Sequence, residues 1–229
     1  MDAIVIPKVN SPSDLHFVTD VIRHALPERH PSTPTGEQKG SPLRLIALIE
    51  SAKAVMDLSS ICKASPYLDG LIFAAEDFAL DLSLTRTPSL TEFLYARSAI
   101  VTAARAHSLP SAIDLVCTAY KGEAGLKTLE EECIGGKALG FNGKQLIHPS
   151  QIEICQRTFA PSLDEVEWAV RIETAERKAD EQGRGAWTMD GKMIDAPVIG
   201  KAKAIVQKAR LSGIDVGEIE QKWKHQEPE

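Results

Sequence analysis

Residues 43–51, LRLIALIES, and residues 69–78, DGLIFAAEDF, decide how this chain folds. Across Leu45 to Asp77, two apolar runs rich in Leu and Ile flank Ser51–Ser65 (SAKAVMDLSSICKAS), which reads as helix. The runs are too short for buried helices and do not alternate polar with apolar, so they read as buried parallel strands of a βαβ unit. Each run ends on a carboxylate: Glu50 in the first, Asp77 beside Glu76 in the second. The two acids lie 27 residues apart, one βα repeat of a barrel that spends about 250 residues on eight strands. Adjacent strand ends then hold the carboxylates side by side. With no Lys or Arg next to them in sequence, the pair suits a hard divalent cation such as Mg²⁺, which takes one or two carboxylates and completes its shell with water. Spacing alone leaves a second reading open, in which either acid caps the next helix or pairs with a distant base.

The rest of the chain supports a large α/β fold. Its 229 residues, 43% hydrophobic and 25% charged, suffice for a substantial core. A net charge of −6 without a basic cluster disfavours nucleic acid as a partner. No run of 18 apolar residues exists to span a membrane. The N-terminus MDAIVIPKVN has neither a signal-peptide n-region nor a transit-peptide pattern, so the cytoplasm is the default expectation, and the mitochondrion if a longer form carries a transit peptide. Cys62, Cys117, Cys133 and Cys155 lack CxxC spacing and read as core thiols.

Ala3–Val9 reads as a buried strand with Lys8 at its C-terminal end, followed by a helix from Ser11–Asp14 to about Leu26. Residues 27–42, rich in Pro, Gly, Ser and Thr, read as a mobile surface loop. Leu90–His107 has helical periodicity, Ser111–Tyr120 reads as a buried strand carrying Asp114, and Thr128–Leu139 reads as a helix weakened by Gly135 and Gly136. Asp114 suits a ligand or a polar network equally well. A short strand then ends at His148-Pro149, where a lone histidine is more often structural than catalytic. Ser162 and Glu165 form a capping box for a helix that Gly183 stops. Ala186–Ile194 reads as a hairpin turning at Asp190-Gly191, and a helix from about Val198 to Ala209 follows it. Residues from Gly213 onward read as fraying.

Six segments in this order, IALIESA, FAAEDFALDL, YARSAIVTAARA, AIDLV, GFNGKQLIHPSQI and MIDAP, resemble the HpcH/HpaI aldolase and citrate lyase beta-subunit-like family, close to its citramalyl-CoA lyase branch. The resemblance covers residues 3 to about 210. It implies an α/β TIM (β/α)₈ barrel with a C-terminal hairpin-helix extension, and an oligomer, a trimer or a multiple of one. Ala3–Val9 resembles the fourth strand. The chain is therefore expected to carry barrel strands four to eight over residues 1–160 and the extension over 161–229, without the three earlier strands and their substrate-contacting arginine, as in an N-terminally truncated form. The resemblance further implies Mg²⁺ held by Glu50 and Asp77, and a substrate carboxylate bound by the backbone around Ala75 and Glu76. It makes Asp195 a general acid/base offered to a neighbouring subunit; without it, Asp195 reads as a helix N-cap.

The implied function is Mg²⁺-dependent carbon–carbon cleavage or condensation on a short hydroxyacyl-CoA such as citramalyl-CoA or malyl-CoA, with acyl-CoA and a 2-oxo or hydroxy acid as ligands. The alternatives are an inactive subunit acting by association, and a 2-oxo acid aldolase that uses no CoA.

Overall fold

The computed structural model describes residues 2–31, 40–183 and 185–229. Half of the surface loop expected over 27–42, residues 32–39, therefore lies outside the described residues, and its first part is a 3₁₀ turn, Pro27–Arg29. The chain divides into two compact units, Met1–Cys155 and Gln156–Glu229.

The first unit is a parallel sheet whose strands follow chain order: β1 (Ala3–Ile6), β2 (Arg44–Ile49), β3 (Leu68–Phe73), β4 (Ser111–Asp114) and β5 (Gly143–Lys144). Each strand pairs with the one before it, and helices fill the crossovers. These are α1 (Pro12–Ala25), α2 (Ala52–Met56), α3 (Leu58–Lys63), α4 (Ala75–Leu82), α5 (Leu94–Ala106), α6 (Gly122–Leu139) and, after β5, α7 (Ile152–Phe159). This successive right-to-neighbour βα walk is the wall of a TIM barrel, here five strands of it. No helix among the described residues is long and apolar enough to cross a membrane.

The apolar runs are buried as their composition requires. Leu45, Ala47, Ile49, Leu71 and Phe73 are fully shielded, and Phe73, Phe78 and Phe93 meet edge to face with centroids 5.3–6.4 Å apart. Such ring pairs add about 0.5–1.5 kcal/mol each beyond area burial. Three expectations need correction. β1 ends at Ile6 and is half exposed, with Val5 at 48%, because it pairs with β2 alone. The helix expected over Ser51–Ser65 breaks in two at Asp57, whose ψ of 14° leaves the helical region. β4 stops at Asp114 rather than Tyr120: beyond it Arg86 donates to the Val116 carbonyl and Gln151 to the Cys117 carbonyl, so side chains replace the ladder. In addition, α6 starts six residues ahead of Thr128, at Gly122.

Asp114 belongs to the core. Arg97 on α5 grips its carboxylate with both Nε (3.0 Å) and Nη2 (2.6 Å), and both residues are buried. Gly136 of α6 leaves room for this pair, since a Cβ there would lie 2.5 Å from Asp114 Oδ2. All four cysteines are buried free thiols. A hydrogen bond from Cys133 holds the Cys155 thiol down at about 7, and the same bond, with burial, pushes Cys133 upward.

The second unit contains α8 (Leu163–Glu181), the hairpin β6 (Trp187–Met189) and β7 (Lys192–Ile194), α9 (Ala196–Leu211) and α10 (Val216–Lys222). Ser162 and Glu165 form the capping box of α8. Asp190 (φ 53°) and Gly191 (φ 71°) supply the two left-handed residues of the hairpin turn. Small residues on α8 and α9, Ala169, Ala175, Ala202 and Ala209, sit in one core with Trp187, Met189 and Ile194. The tail does not fray. Val216 is buried, Trp223 lies under the Arg171 guanidinium at 4.6 Å and donates to Glu167, and Glu229 exchanges two backbone hydrogen bonds with Thr188.

Candidate metal and carboxylate-binding site

The parallel pairing of β2 with β3 brings their C-terminal ends together, Ile49 opposite Phe73. Glu50 follows directly on β2 and is buried, its side chain 8% exposed. Asp77 is not on the strand end itself. β3 stops at Phe73, and Asp77 sits in the first turn of α4, half exposed. A carboxylate there is favoured by the positive end of the helix. The first helical bond of α4 runs from Phe78 N–H to the Ala74 carbonyl, which leaves the Ala75, Glu76 and Asp77 N–H groups as first-turn donors without helical acceptors. Open first-turn amides of this kind, at the positive end of a helix, suit an anion.

The two carboxylates converge on one positive charge. Lys8, just beyond β1, places Nζ 2.9 Å from Asp77 Oδ1 and 3.6 Å from Glu50 Oε2. The hydrogen bond and charge of Asp77, followed by the charge of Glu50, raise the Lys8 ammonium above its ordinary value. Sequence adjacency had shown no basic neighbour, and the third dimension supplies one from 42 residues upstream of Glu50. Lys8, Asn10, Glu50, Ser51, Asp77, Leu80 and Asp81 line a cavity of about 260 Å³. The Ser51 hydroxyl bonds Asn10 and caps α2 through Ala54 N–H, and Asp81 accepts from Ala52 N–H. Asn10, Ser51 and Asp81 carried no sequence signal for this place, because nothing in their spacing links them to the acids.

Whether these residues suit Mg²⁺ can be judged from the donor set. Among the described residues no group of three or more His, Cys, Asp and Glu has metal-binding geometry. A harder, more hydrated ion needs fewer protein ligands, and two carboxylates already focused on a cation position match Mg²⁺. The ammonium of Lys8 stands in for that cation, so Glu50 and Asp77 fit the role.

A second charged group reaches the same helix. Arg86 donates to Glu76, to the Val116 carbonyl and to Glu132 of α6, and Lys144 of β5 lies 2.9 Å from the other Glu132 oxygen, fully buried. The one available sequence signal was Lys144, within the short strand expected to end at His148-Pro149. His148 caps the 3₁₀ turn Pro149–Gln151 through Ser150 and stacks on Tyr120, a structural role. Asp195 lies in the second unit and caps α9, accepting from Val198 N–H at 3.3 Å.

Residues 1–149 match the family described as HpcH/HpaI aldolase/citrate lyase, and residues 89–214 a family described as C-C bond lyase of the TIM-barrel fold. The mitochondrial citramalyl-CoA lyase of Homo sapiens is 34% identical over 90% of this chain and 60% of its own length. The citrate lyase subunit beta of Haemophilus influenzae is 39% identical over 93% of this chain and 69% of its own. The chain thus spans about 60% of the human relative's length. Among solved structures, CitE from Mycobacterium tuberculosis in complex with magnesium, acetoacetate and coenzyme A is similar with a TM-score of 0.67 and 26% identity, over 91% of this chain and 68% of that one. A citrate lyase from Burkholderia xenovorans shares the fold, with a TM-score of 0.75 at 19% identity over 96% of this chain and 67% of that one.

Proposed function

This chain belongs to the HpcH/HpaI aldolase/citrate lyase family, and on that premise we propose that it forms the active site of a Mg²⁺-dependent carbon–carbon lyase acting on a short hydroxyacyl-CoA such as citramalyl-CoA or malyl-CoA. The observation that carries the reading is the convergence of Glu50 and Asp77 on one cation position beside the open amides of α4. Relatives named for citramalyl-CoA and malyl-CoA chemistry, and a neighbour holding magnesium with an oxo acid and CoA, support the substrate class.

Glu50 and Asp77 would hold the ion. When bound, Mg²⁺ polarises the hydroxyl or oxo oxygen of the acid and stabilises the oxyanion that develops there. The Ala75 and Glu76 amides, at the positive end of α4, receive the acid's carboxylate and fix its orientation. In cleavage, the bond between the thioester α-carbon and the hydroxyl-bearing carbon breaks. The hydroxyl gives up its proton to solvent water and becomes the 2-oxo group, while the α-carbon, left as an enolate, must gain one. Asp195 supplies that proton as general acid and recovers it in the reverse condensation. Its Oδ1 is engaged by Val198 N–H, which orients the carboxyl and leaves Oδ2 for the transfer. In a homo-oligomer, a trimer or a multiple of one, Asp195 of one copy serves the Glu50–Asp77 site of another.

Thermal melts with Mg²⁺ test the metal pair. At a hundredfold excess over Kd, native-state binding stabilises by about 2.7 kcal/mol, and Glu50→Gln or Asp77→Asn should each abolish the shift. A double variant that shifts like the parent refutes the site. Turnover of the free hydroxy acid as fast as its CoA ester refutes the CoA assignment.

A further inference from the structure

Lys8 is built unlike an incidental surface lysine. Its backbone takes φ 51°, a left-handed conformation unfavourable for any residue with a Cβ. The turn is held on its C-terminal side, by Asn10 Nδ2 donating to the Lys8 carbonyl and by Val9 being fully buried. The side chain is the opposite, 71% exposed on a flexible stem and held by Asp77 and Glu50 through its terminal nitrogen. A fixed base with a free arm is the construction of a group that changes position.

We propose that Lys8 is the exchangeable counter-cation of the Glu50–Asp77 pair. Metal uptake displaces its ammonium, and the displaced ammonium becomes a binding group for the carboxylate of the incoming acid. The inference rests on the metal reading above and adds to it a residue and an order of events. The exchange follows from geometry and charge. A Mg²⁺ ion bonds carboxylate oxygens at about 2.1 Å, and such an ion between the same oxygens competes for them with, and repels, an ammonium 2.9 Å from one of them and 3.6 Å from the other. Among the charged residues lining the cavity, three are carboxylates, Glu50, Asp77 and Asp81, and one is a cation, Lys8. Without metal, the ammonium is needed to keep the two converging acids together. With a dication in place the four protein charges and the ion sum to zero, so the pair no longer retains Lys8. An acid carboxylate arriving at the rim then meets an ammonium tethered at the end of β1. Metal and acid binding become positively coupled through one side chain, because each relieves the competitor of the other.

Calorimetry on the parent chain, Lys8→Met, Lys8→Gln and Glu50→Gln tests this with Mg²⁺ alone and then with pyruvate at saturating Mg²⁺. Two variants at position 8 guard against a folding defect in either, and circular dichroism checks both. The expected result has opposite signs: roughly tenfold tighter Mg²⁺ in the Lys8 variants, on the scale of removing two exposed ion pairs, and roughly tenfold weaker pyruvate. Unchanged affinities overturn the proposal, as does weakening of both ligands together, which would make Lys8 merely structural. Equal Mg²⁺ binding by parent and Lys8 variants, with Glu50→Gln still losing it, overturns the proposal while leaving the metal site standing. Absence of Mg²⁺ binding in the parent and in the Lys8 variants removes the metal site and the proposal together.

Discussion

Adjacent glycines in α6 should respond to the same substitution with opposite signs. Replacing a helix-interior Gly by Ala contributes about 1 kcal/mol through reduced backbone entropy. At Gly135 a Cβ meets nothing within 4 Å, so Gly135→Ala should deliver nearly the whole gain. At Gly136 the new Cβ would stand 2.5 Å from Asp114 Oδ2 and 3.3 Å from Asp114 Cγ. Asp114 cannot step aside: it is fully buried, gripped twice by Arg97, and its carbonyl accepts from Gln145 N–H. Overpacking of this kind costs about 1–3 kcal/mol, and any loosening of the buried ion pair adds to it, up to about 3–5 kcal/mol for a broken pair. Set against the same helical gain of about 1 kcal/mol, overpacking makes Gly136→Ala up to about 2 kcal/mol less stable than the parent before any loosening of the ion pair, and puts the two variants about 1–3 kcal/mol apart. Urea titrations at unchanged slope read this as midpoints moving in opposite directions. Gly136→Ala in a chain already carrying Arg97→Met and Asp114→Ala should turn stabilising. A Gly136→Ala variant as stable as Gly135→Ala would refute the argument that Asp114 dictates this glycine.

Arg97→Met should lose about 3–5 kcal/mol, because it strands a buried carboxylate, and adding Asp114→Ala should restore a large part, read by the same titrations; a double variant worse than the single would show that the pair itself stabilises. For Asp195, the cap of α9 predicts that Asn leaves the melting temperature unchanged and that Ala costs about 1 kcal/mol. Its role as general acid predicts a turnover loss of ~10² to 10⁴ with Asn, partly recovered on mixing with Glu50→Gln; full activity of Asp195→Asn would reduce it to a cap. Asp14 accepts from the N–H groups of Asn10 and Ser11, which hold its carboxyl below the ordinary carboxylate range. The folded chain then binds fewer protons than the unfolded one in that window, so this contribution is complete above about pH 4 and lost as pH falls through the depressed value. Comparing urea stability near pH 6 and pH 3, Asp14→Asn should show a shallower acid loss than the parent, and parallel curves would count against the assignment.

The nearness of Glu50 and Asp77 was legible because run length, composition and one βα spacing suffice to place two parallel strand ends together, although Asp77 sits one step further on, in the first turn of α4. Lys8 was visible as a strand-end residue, but its meeting with Glu50 and Asp77 was not, since pairing across β1, β2 and α4 leaves no trace in local spacing. Leu115–Tyr120 was over-read as strand: apolar composition cannot distinguish a ladder from buried coil whose carbonyls are taken by Arg86 and Gln151. The tail was under-read for the converse reason. Its polar composition outweighed Val216 and Trp223, yet those two side chains, with the Thr188–Glu229 bonds, order it. The weakness of Gly135 and Gly136 in a helix was plain, and only the structure separates the glycine that Asp114 demands from the one it does not.

The chain of charges from Glu76 through Arg86 and Glu132 to Lys144 has an evolutionary consequence. Its two acids and two bases cancel, and each interior member touches the next, so losing one leaves the set with an unbalanced charge. Across descendants of this sequence, substitutions at positions 76, 86, 132 and 144 should travel together rather than singly. Because Glu76 adjoins Asp77, a drift at position 144 would be inherited as a change in how α4 begins, 68 residues away.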